Sequence, residues 1–139
     1  MRVLLDTNVL LDVLLDRQPW SEDASAILTL ADRGNVTGLA CAISFTTVFY
    51  VMRKEIGAAE ARSGVSELLG VLDVAPVGRA VLDRAVQADV ADFEDAVVME
   101  CARVAGVDHI VTRDAKDFVT SPVPAHTPAS FRQLLDLLH

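Results

Sequence analysis

The chain has 139 residues, enough for one domain with an apolar core of ordinary size that needs no disulfide or metal to stabilise it. It carries 20 acidic and 12 basic side chains, for a formal net charge of -8, which excludes a surface that binds nucleic acid through clustered Lys and Arg alone. The longest mostly apolar stretch, residues 39–52, is too short to span a bilayer and the N-terminus lacks the order of a signal peptide, so we expect a cytoplasmic protein without membrane contact.

Short apolar strands alternate with helical patterns along the chain. Strands are predicted at residues 2–5, 36–41, 74–77 and 109–112. Helices are predicted at residues 9–15, 24–32, 45–56, 58–72, 79–88, 93–105 and 128–138. This alternation is typical of βαβ units, in which helices join parallel strands. We therefore expect an α/β fold with a parallel sheet, in one domain that covers residues 1–139.

Several helix ends are predicted from the residues that usually occupy them. Ser21 and Ser44 precede the second and third helices as N-caps, and Thr127 with Pro128 takes the same place before the last helix. Glycines follow three of the helices as stop signals, at Gly34, Gly57 and Gly106.

An aspartate stands at the end of the first predicted strand. Asp6 follows the apolar run 1–5, and Thr7 and Asn8 come directly after it. In open α/β sheets ligands bind outside the carboxyl ends of the strands, so an acid at this point is well placed for chemistry. Because Asp, Thr and Asn also cap helices well, Asp6 alone is equally compatible with a capping role.

Two further acidic segments occur where strand or helix ends are predicted. Asp92, Glu94 and Asp95 stand at the start of the sixth helix, and Asp114 and Asp117 follow the fourth strand. Asp92 and Asp95 are three residues apart and share a helix face. We expect Asp92 to be an N-cap and Glu94 a surface charge, whereas Asp95 is expected to belong to a site.

Neighbouring parallel strands would bring Asp6 and Asp114 over the same edge of the sheet, where their charges repel. Two unit charges about 4 Å apart repel by on the order of 4 kcal/mol at an effective dielectric of 20, so several ionised aspartates persist together only with a cation between them. Oxygen ligands without His or Cys favour Mg²⁺ or Mn²⁺. Such a cation suits phosphodiester hydrolysis, because it binds the phosphate, helps ionise a water and stabilises the leaving alkoxide.

Other catalytic schemes lack their residues. His109 lies in a predicted strand, and His126 and His139 lie near the C-terminus, where packing or surface positions are expected. Neither a Ser/His/Asp or Cys/His motif nor a P-loop or GxGxxG motif occurs. Cys41 and Cys101 lack metal-binding spacing and are expected to be reduced core thiols of a cytosolic protein.

Three ordered motifs resemble those of the PIN domain family, the metal-dependent ribonucleases that include VapC-type toxins. The motifs are Leu5-Asp6-Thr7-Asn8-Val9-Leu10, Asp92-Phe93-Glu94-Asp95-Ala96, and Val111-Thr112-Arg113-Asp114 with Asp117-Phe118. The resemblance runs through nearly the whole chain. It implies a three-layer α/β/α sandwich with a central parallel sheet of four or five strands, and an acidic pocket that holds one or two Mg²⁺ or Mn²⁺ ions.

The same resemblance implies roles for individual residues. The residues expected to bind metal and catalyse are Asp6, Asp95 and Asp114. The residues expected to orient carboxylates or the attacked phosphate are Thr7, Asn8 and Thr112. Asp117 is expected to be a peripheral acid or a turn cap, and Asp92 to support the site from the first turn of its helix.

One position departs from the family pattern. Many members carry an acid on the helix after the second strand, and Thr47 takes its place here, which removes a negative charge and puts a second metal ion in question. Glu55 lies about two turns further, roughly 12 Å along the axis, which is too far for a direct replacement. Asp92 could compensate.

The expected activity is that of an Mg²⁺- or Mn²⁺-dependent endoribonuclease, the toxin of a type II toxin-antitoxin pair whose antitoxin covers the acidic groove. An RNA- or protein-binding module with weak or no nuclease activity is the alternative, because of Thr47. A phospho-acceptor receiver domain is less favoured, because such domains have an acidic pair where Asp6 stands alone. The 52% hydrophobic content and mean hydropathy of +0.37 predict an apolar interface, in a homodimer or with a protein partner.

Overall fold

A five-stranded parallel sheet forms the centre of the computed structural model, which describes residues 1–138. The strands are β1 (Arg2–Leu5), β2 (Thr37–Cys41), β3 (Asp73–Ala75), β4 (His109–Val111) and β5 (Ala125–His126). Their order across the sheet is β3-β2-β1-β4-β5, and every neighbouring pair is parallel. The predicted parallel α/β architecture is therefore confirmed.

Helices connect the strands and cover both faces of the sheet. They are α1 (Thr7–Leu14), α2 (Ser21–Asp32), α3 (Ala42–Ile56), α4 (Ala58–Val71), α5 (Arg79–Gln87), α6 (Phe93–Ala105) and α7 (Pro128–Leu138). A short 3-10 helix, Ala115–Phe118, follows β4. Among residues 1–138, no helix combines the length and the apolar character needed to cross a membrane.

The alternation of side chains along β1 divides the core into two apolar clusters. Val3 and Leu5 belong to the cluster beneath α1, α2, α3, α4 and α7, whereas Leu4 belongs to the cluster beneath α5 and α6. All three side chains are almost completely buried. Because the side chains of a strand point to opposite faces in turn, a strand covered by helices on both faces must be apolar throughout. The result is the predicted three-layer α/β/α sandwich.

The predicted N-caps at Ser21 and Ser44 are wrong. Ser21 is the first residue of α2, and Ser44 lies inside the first turn of α3, because that helix starts directly after β2 with Cys41 as its N-cap residue. The hydroxyl of Ser44 is buried and contacts Thr7 instead. The cap at Thr127 is confirmed, since its Oγ1 accepts a hydrogen bond of 3.2 Å from the Ser130 N–H.

Three strands have limits that differ from the prediction: β2 begins one residue later, β3 covers Asp73–Ala75, and β4 ends one residue earlier. β3 ends before Pro76, because a proline has no N–H to donate to the ladder. β5 has only two residues and no hydrophobic pattern that could have revealed it. The helix ends at Gly57 and Gly106 are confirmed, and both glycines have the positive φ that other residues rarely adopt, 97° and 66°.

The sheet order places a topological switch point beside β1. The chain builds β2 and β3 on one side of β1 and then crosses to β4 and β5 on the other side. The carboxyl ends of β1 and β4 are neighbours, and the Asp6 N–H donates a hydrogen bond of 2.9 Å to the Val111 carbonyl. A crevice opens at such points in parallel sheets, and it is the usual place of a ligand.

Candidate active site

Asp6 stands in the crevice with both carboxylate oxygens engaged. It is 6% exposed and is the N-cap residue of α1. Its Oδ1 accepts a hydrogen bond of 2.8 Å from the Thr7 N–H, and its Oδ2 accepts one of 2.8 Å from the Thr112 hydroxyl. The capping role and the site role are therefore not alternatives, because the same carboxylate caps α1 and faces the end of β4.

Thr112 joins the two strand-end segments. Its side chain is fully buried, and its Oγ1 accepts a hydrogen bond of 3.2 Å from the Asp114 N–H while its proton goes to Asp6. The hydroxyl thereby fixes the direction in which the chain leaves β4. A threonine suits this position, because the hydroxyl donates and accepts at once.

Asn8 connects the first turn of α1 to the loop after β4. Its Nδ2 donates to Asp114 Oδ2 at 3.1 Å, and its Oδ1 accepts from the Arg113 N–H at 3.2 Å. The amide therefore holds the Asp114 carboxylate on the same side of the sheet as Asp6. Asp6, Asn8, Thr112 and Asp114 form one hydrogen-bonded group.

Asp95 enters from the start of α6. The Asp92 carboxylate accepts a hydrogen bond of 3.0 Å from the Asp95 N–H, which confirms that Asp92 is the N-cap of this helix. Asp95 and Asp92 line an open cleft of about 520 Å³. Its full lining is Asp89, Val90, Ala91, Asp92, Asp95, Asp114, Asp117, Val119 and Thr120. Asp117 thus lies at this cleft, in the 3-10 helix after Asp114.

The proximity of the acids changes their proton affinity. Burial, with the charges of Asp92, Asp6, Asp117 and Asp114, raises the pKa of Asp95 from 3.8 to about 7. Burial also raises the pKa of Asp6, against the hydrogen bonds from Thr112 and Thr7 that favour its ionised form. Without a counter-ion, the negative charges of these carboxylates repel one another, and a bound cation would reduce that repulsion.

Glu94 and Ser44 are two neighbours of the site that were not expected there. The Thr7 hydroxyl lies 2.8 Å from Ser44 Oγ and 3.4 Å from Glu94 Oε1. The charge of Glu94 also contributes to the raised pKa of Asp6. Glu94 is exposed, as predicted for a charge in the first turn of a helix, but it also approaches Thr7. Its approach to Thr7 depends on how α6 crosses the sheet, which the local sequence does not reveal.

The helix that carries Thr47 supplies no carboxylate in its first three turns. The Thr47 hydroxyl donates to the Ile43 carbonyl of its own helix at 3.2 Å. Glu55, near the end of α3, lies 3.3 Å from the Arg17 guanidinium. Glu94, rather than Glu55, is the additional acid beside Asp6.

The donor set suits a hydrated hard cation better than an all-protein cage. No three acid, His or Cys side chains within residues 1–138 converge tightly enough to ligate a single ion by themselves. Mg²⁺ usually keeps several waters and takes only one or two carboxylates from the protein. The carboxylate oxygens of Asp6, Asp95 and Asp114 and the raised pKa values of Asp6 and Asp95 would suit such an ion.

The described histidines lie away from the acids. His109 Nδ1 is 3.0 Å from His126 Nε2, and both rings pack near Phe131. The expectation that they serve packing is confirmed, whereas His139 lies outside the described residues. Cys41 and Cys101 are both unpaired and buried, as expected.

Fold and site together define a class: a three-layer domain with a parallel five-stranded sheet and an acidic cleft at its switch point. The PIN domain family model matches residues 2–116. The chain therefore belongs to the PIN domain family.

The chain is similar to a curated protein in sequence and to solved structures in fold. The chain is 28% identical over 138 residues to ribonuclease VapC1 of Aquifex aeolicus (strain VF5), with 94% of this chain and 92% of that protein covered. Its fold is similar to that in the crystal structure of VapBC2 from Rickettsia felis bound to a DNA fragment from the VapBC2 promoter. The TM-score is 0.72 at 15% sequence identity, and the match covers 91% of this chain and 98% of that chain. A toxin-antitoxin complex from Klebsiella pneumoniae has a similar fold, with a TM-score of 0.68 and 21% sequence identity. The match covers 91% of this chain and 97% of that chain.

Proposed function

We propose that this protein is an Mg²⁺- or Mn²⁺-dependent endoribonuclease and the toxin of a type II toxin-antitoxin pair. Membership of the PIN family and the similarity to a protein named as a ribonuclease support the reaction class. The observation that carries the proposal is the placement of Asp95 and Asp114 in one cleft beside the strand end that holds Asp6, where burial and the neighbouring acids raise the pKa of Asp95.

The site residues have two proposed roles: some bind the cation, and others keep the carboxylates in position. Asp6, Asp95 and Asp114 would hold the cation, and Asp117 would add negative charge at the rim of the cleft. When bound, Mg²⁺ or Mn²⁺ supplies a Lewis acid for the phosphate and a more acidic water. Thr112 and Asn8 keep the carboxylates of Asp6 and Asp114 in place through the hydrogen bonds described above.

The net charge makes the cation necessary for substrate binding as well. A cleft lined by Asp92, Asp95, Asp114 and Asp117 repels a phosphodiester backbone unless an ion lies between them. We therefore propose that RNA and metal bind together, and that RNA affinity falls when divalent ions are removed.

The test is cleavage of a panel of structured RNAs with Mg²⁺, with Mn²⁺ and with EDTA. Wild-type protein should cut with either ion and not with EDTA, and Asp6→Asn, purified in parallel, should not cut. Equal cutting by both proteins would identify a contaminating nuclease, and no cutting by either would reject the proposed activity.

A binding module without nuclease activity is the second candidate, favoured by one observation. The α3 helix offers Thr47, whose hydroxyl is satisfied within its own helix, at the position where the family resemblance led us to expect an acid. Glu94 opposes this candidate, because it brings a carboxylate next to Thr7 and Asp6. Substitution Glu94→Gln separates the two: it should weaken Mn²⁺ binding and cleavage if Glu94 takes over the missing charge.

An antitoxin and a second copy of the chain are the proposed protein partners. The antitoxin is suggested by the fold's similarity to the Klebsiella toxin-antitoxin complex, and a basic or amphipathic segment would suit the acidic cleft. Large apolar side chains stand exposed, including Tyr50 at 67% and Val86 at 71%, which supports a homodimer. A small reading frame beside the gene and light scattering of the purified protein test these two partners.

A further inference from the structure

Arg113 follows Thr112 and precedes Asp114, yet its side chain is absent from the lining of the acidic cleft. It lines a separate small cavity of about 140 Å³ on the side of Trp20 and Pro128. The guanidinium carbon lies 4.0 Å from the centre of the Trp20 ring, and the side chain is only 25% exposed. The one cation in the loop between two site residues is therefore packed into the protein.

The partner of Arg113 is an aspartate that is completely buried. Asp12 lies on α1, one turn after Asn8, and its side chain is 0% exposed. Its Oδ2 is 3.3 Å from Arg113 Nε, and neither the carboxylate oxygens nor that nitrogen has a hydrogen-bond partner within residues 1–138, so the contact is an ion pair without a hydrogen bond. A buried carboxylate without hydrogen bonds is costly, so Asp12 depends on the charge of Arg113.

The backbone of Arg113 is hydrogen-bonded to the site, while its side chain contacts Asp12. Its N–H donates to Asn8 Oδ1, and the other end of that amide donates to the Asp114 carboxylate. Asn8 and Asp12 are four residues apart on α1, so both anchors of Arg113 lie on one face of that helix. A shift of the guanidinium would move the peptide that sets the direction of Asp114.

We propose that Arg113 is a positioning residue, whose contacts with Asp12 and Trp20 lock residues 112–114 against α1 and thereby aim the Asp114 carboxylate into the acidic cleft. The kinetic part of this inference depends on the proposed nuclease function, and the part on Asn8 and Asp114 does not. The pair Asp12–Arg113 is thus expected to affect the site without contact with RNA.

A different role for Arg113, direct contact with an RNA phosphate, predicts another kinetic result. The packing of its guanidinium between Asp12 and Trp20 leaves little of it for a substrate. Loss of a phosphate contact raises KM, whereas loss of the direction of Asp114 lowers kcat. The two roles can therefore be separated by one set of variants.

The experiment compares Arg113→Gln, Asp12→Asn and the double variant Asp12→Asn/Arg113→Gln with wild type. The double variant removes both charges and so avoids the unpaired buried carboxylate that could prevent Arg113→Gln from folding. Arg132→Gln is the matched control: it removes an arginine from a partly exposed pair, 2.7 Å from Asp23, which lines the same cavity as Arg113, and it leaves the Asp12–Arg113 pair intact.

The first readout uses metal-free protein and needs no activity. Hydrogen exchange of the Asn8 side-chain amide, followed by NMR, should accelerate about ten-fold or more in Arg113→Gln and in the double variant, and remain as in wild type in Arg132→Gln. Unchanged exchange in the folded double variant would overturn the proposal, whether or not the wild-type protein cleaves RNA.

The second readout separates positioning from mere stability. Urea unfolding should show Arg113→Gln destabilised and the double variant largely restored. The kcat should fall about ten-fold or more in both, equivalent to about 1.4 kcal/mol of barrier, with KM changed less than about three-fold. Arg113→Lys, which keeps the charge, should recover part of kcat.

Two kinetic results would contradict the proposal. Recovery of kcat together with stability in the double variant would reduce Arg113 to a counter-ion for Asp12. A large rise of KM at unchanged kcat would assign it to the substrate. If wild type does not cleave at all, the proposed nuclease function fails, while the exchange of the Asn8 amide still decides the positioning role.

Discussion

Substitution of Asp95 by asparagine should stabilise the metal-free protein at neutral and higher pH. The pKa of this carboxyl is raised from 3.8 to about 7 by burial and by four neighbouring acids, so the folded protein holds a proton that the unfolded chain releases. The stability that this proton contributes is complete below pH 4 and is lost as the pH rises through 7. Asparagine has no such loss, because it never ionises.

The magnitude follows from the shift. About three pKa units correspond to about 4 kcal/mol as an upper bound. Because Asp95 is partly exposed and water screens its neighbours, we expect a gain of roughly 1–2 kcal/mol in the free energy of unfolding at pH 8. The gain should shrink toward zero at pH 4.

The assay is urea unfolding in EDTA at several pH values, for wild type, Asp95→Asn and the control Asp83→Asn. Asp83 lies on α5 outside the cleft and is exposed beside Arg79, so its removal should change stability by a few tenths of a kcal/mol at every pH. A pH-independent difference between Asp95→Asn and wild type, or a loss of stability at pH 8, would refute the argument from repulsion.

Two further substitutions test hydrogen bonds of the site, and a third tests the packing of β2. Thr112→Val removes the hydroxyl that bonds both Asp6 and Asp114, so it should lower the free energy of unfolding by about 1–3 kcal/mol and abolish cleavage. Thr112→Ser keeps the hydroxyl and should retain most of the stability and of the activity. Urea unfolding and RNA cleavage measure the two effects. Asp92→Ala should cost about 1 kcal/mol in thermal unfolding because α6 loses its cap, whereas Asp92→Ser should retain it. Gly38→Ala should destabilise by about 1–3 kcal/mol in urea, because the added Cβ would meet Leu72 and Ala31 at 2.7 Å and 2.9 Å; a neutral result would contradict the tight approach of β2 to α2.

The sequence predicted the sheet because its signals are local. Four of the five strands fall in or beside short apolar segments bounded by turn or cap residues, and the ends of α6, Asp92 and Gly106, follow ordinary capping rules. β5 could not be predicted, because its two residues pair only through the ladder bonds that β4 offers. Ser44 was wrongly predicted as an N-cap, because the sequence alone does not distinguish a capping serine from a buried one.

The site residues also fall into two groups: those that local sequence signals predicted and those that they did not. The strand-end rule pointed to Asp6 and Asp114, whose hydrogen-bonded group lies at neighbouring strand ends. Glu94 and the buried pair of Asp12 and Arg113 depend on the crossing of α6 and on the depth of α1, which no short segment specifies. The structure packs Arg113 against Trp20, a contact between residues far apart in the sequence.

Calorimetric titration of metal-free protein with Mn²⁺ at pH 7.5 tests the central claim, that the convergent carboxylates form one cation site. Wild type should bind well below millimolar, Asp6→Asn and Asp95→Asn should each weaken binding by about ten-fold or more, and Asp83→Asn should bind as wild type. Equal affinity of wild type and Asp95→Asn, or no binding by any of them, would contradict the claim and favour a binding module in place of a metal-dependent nuclease.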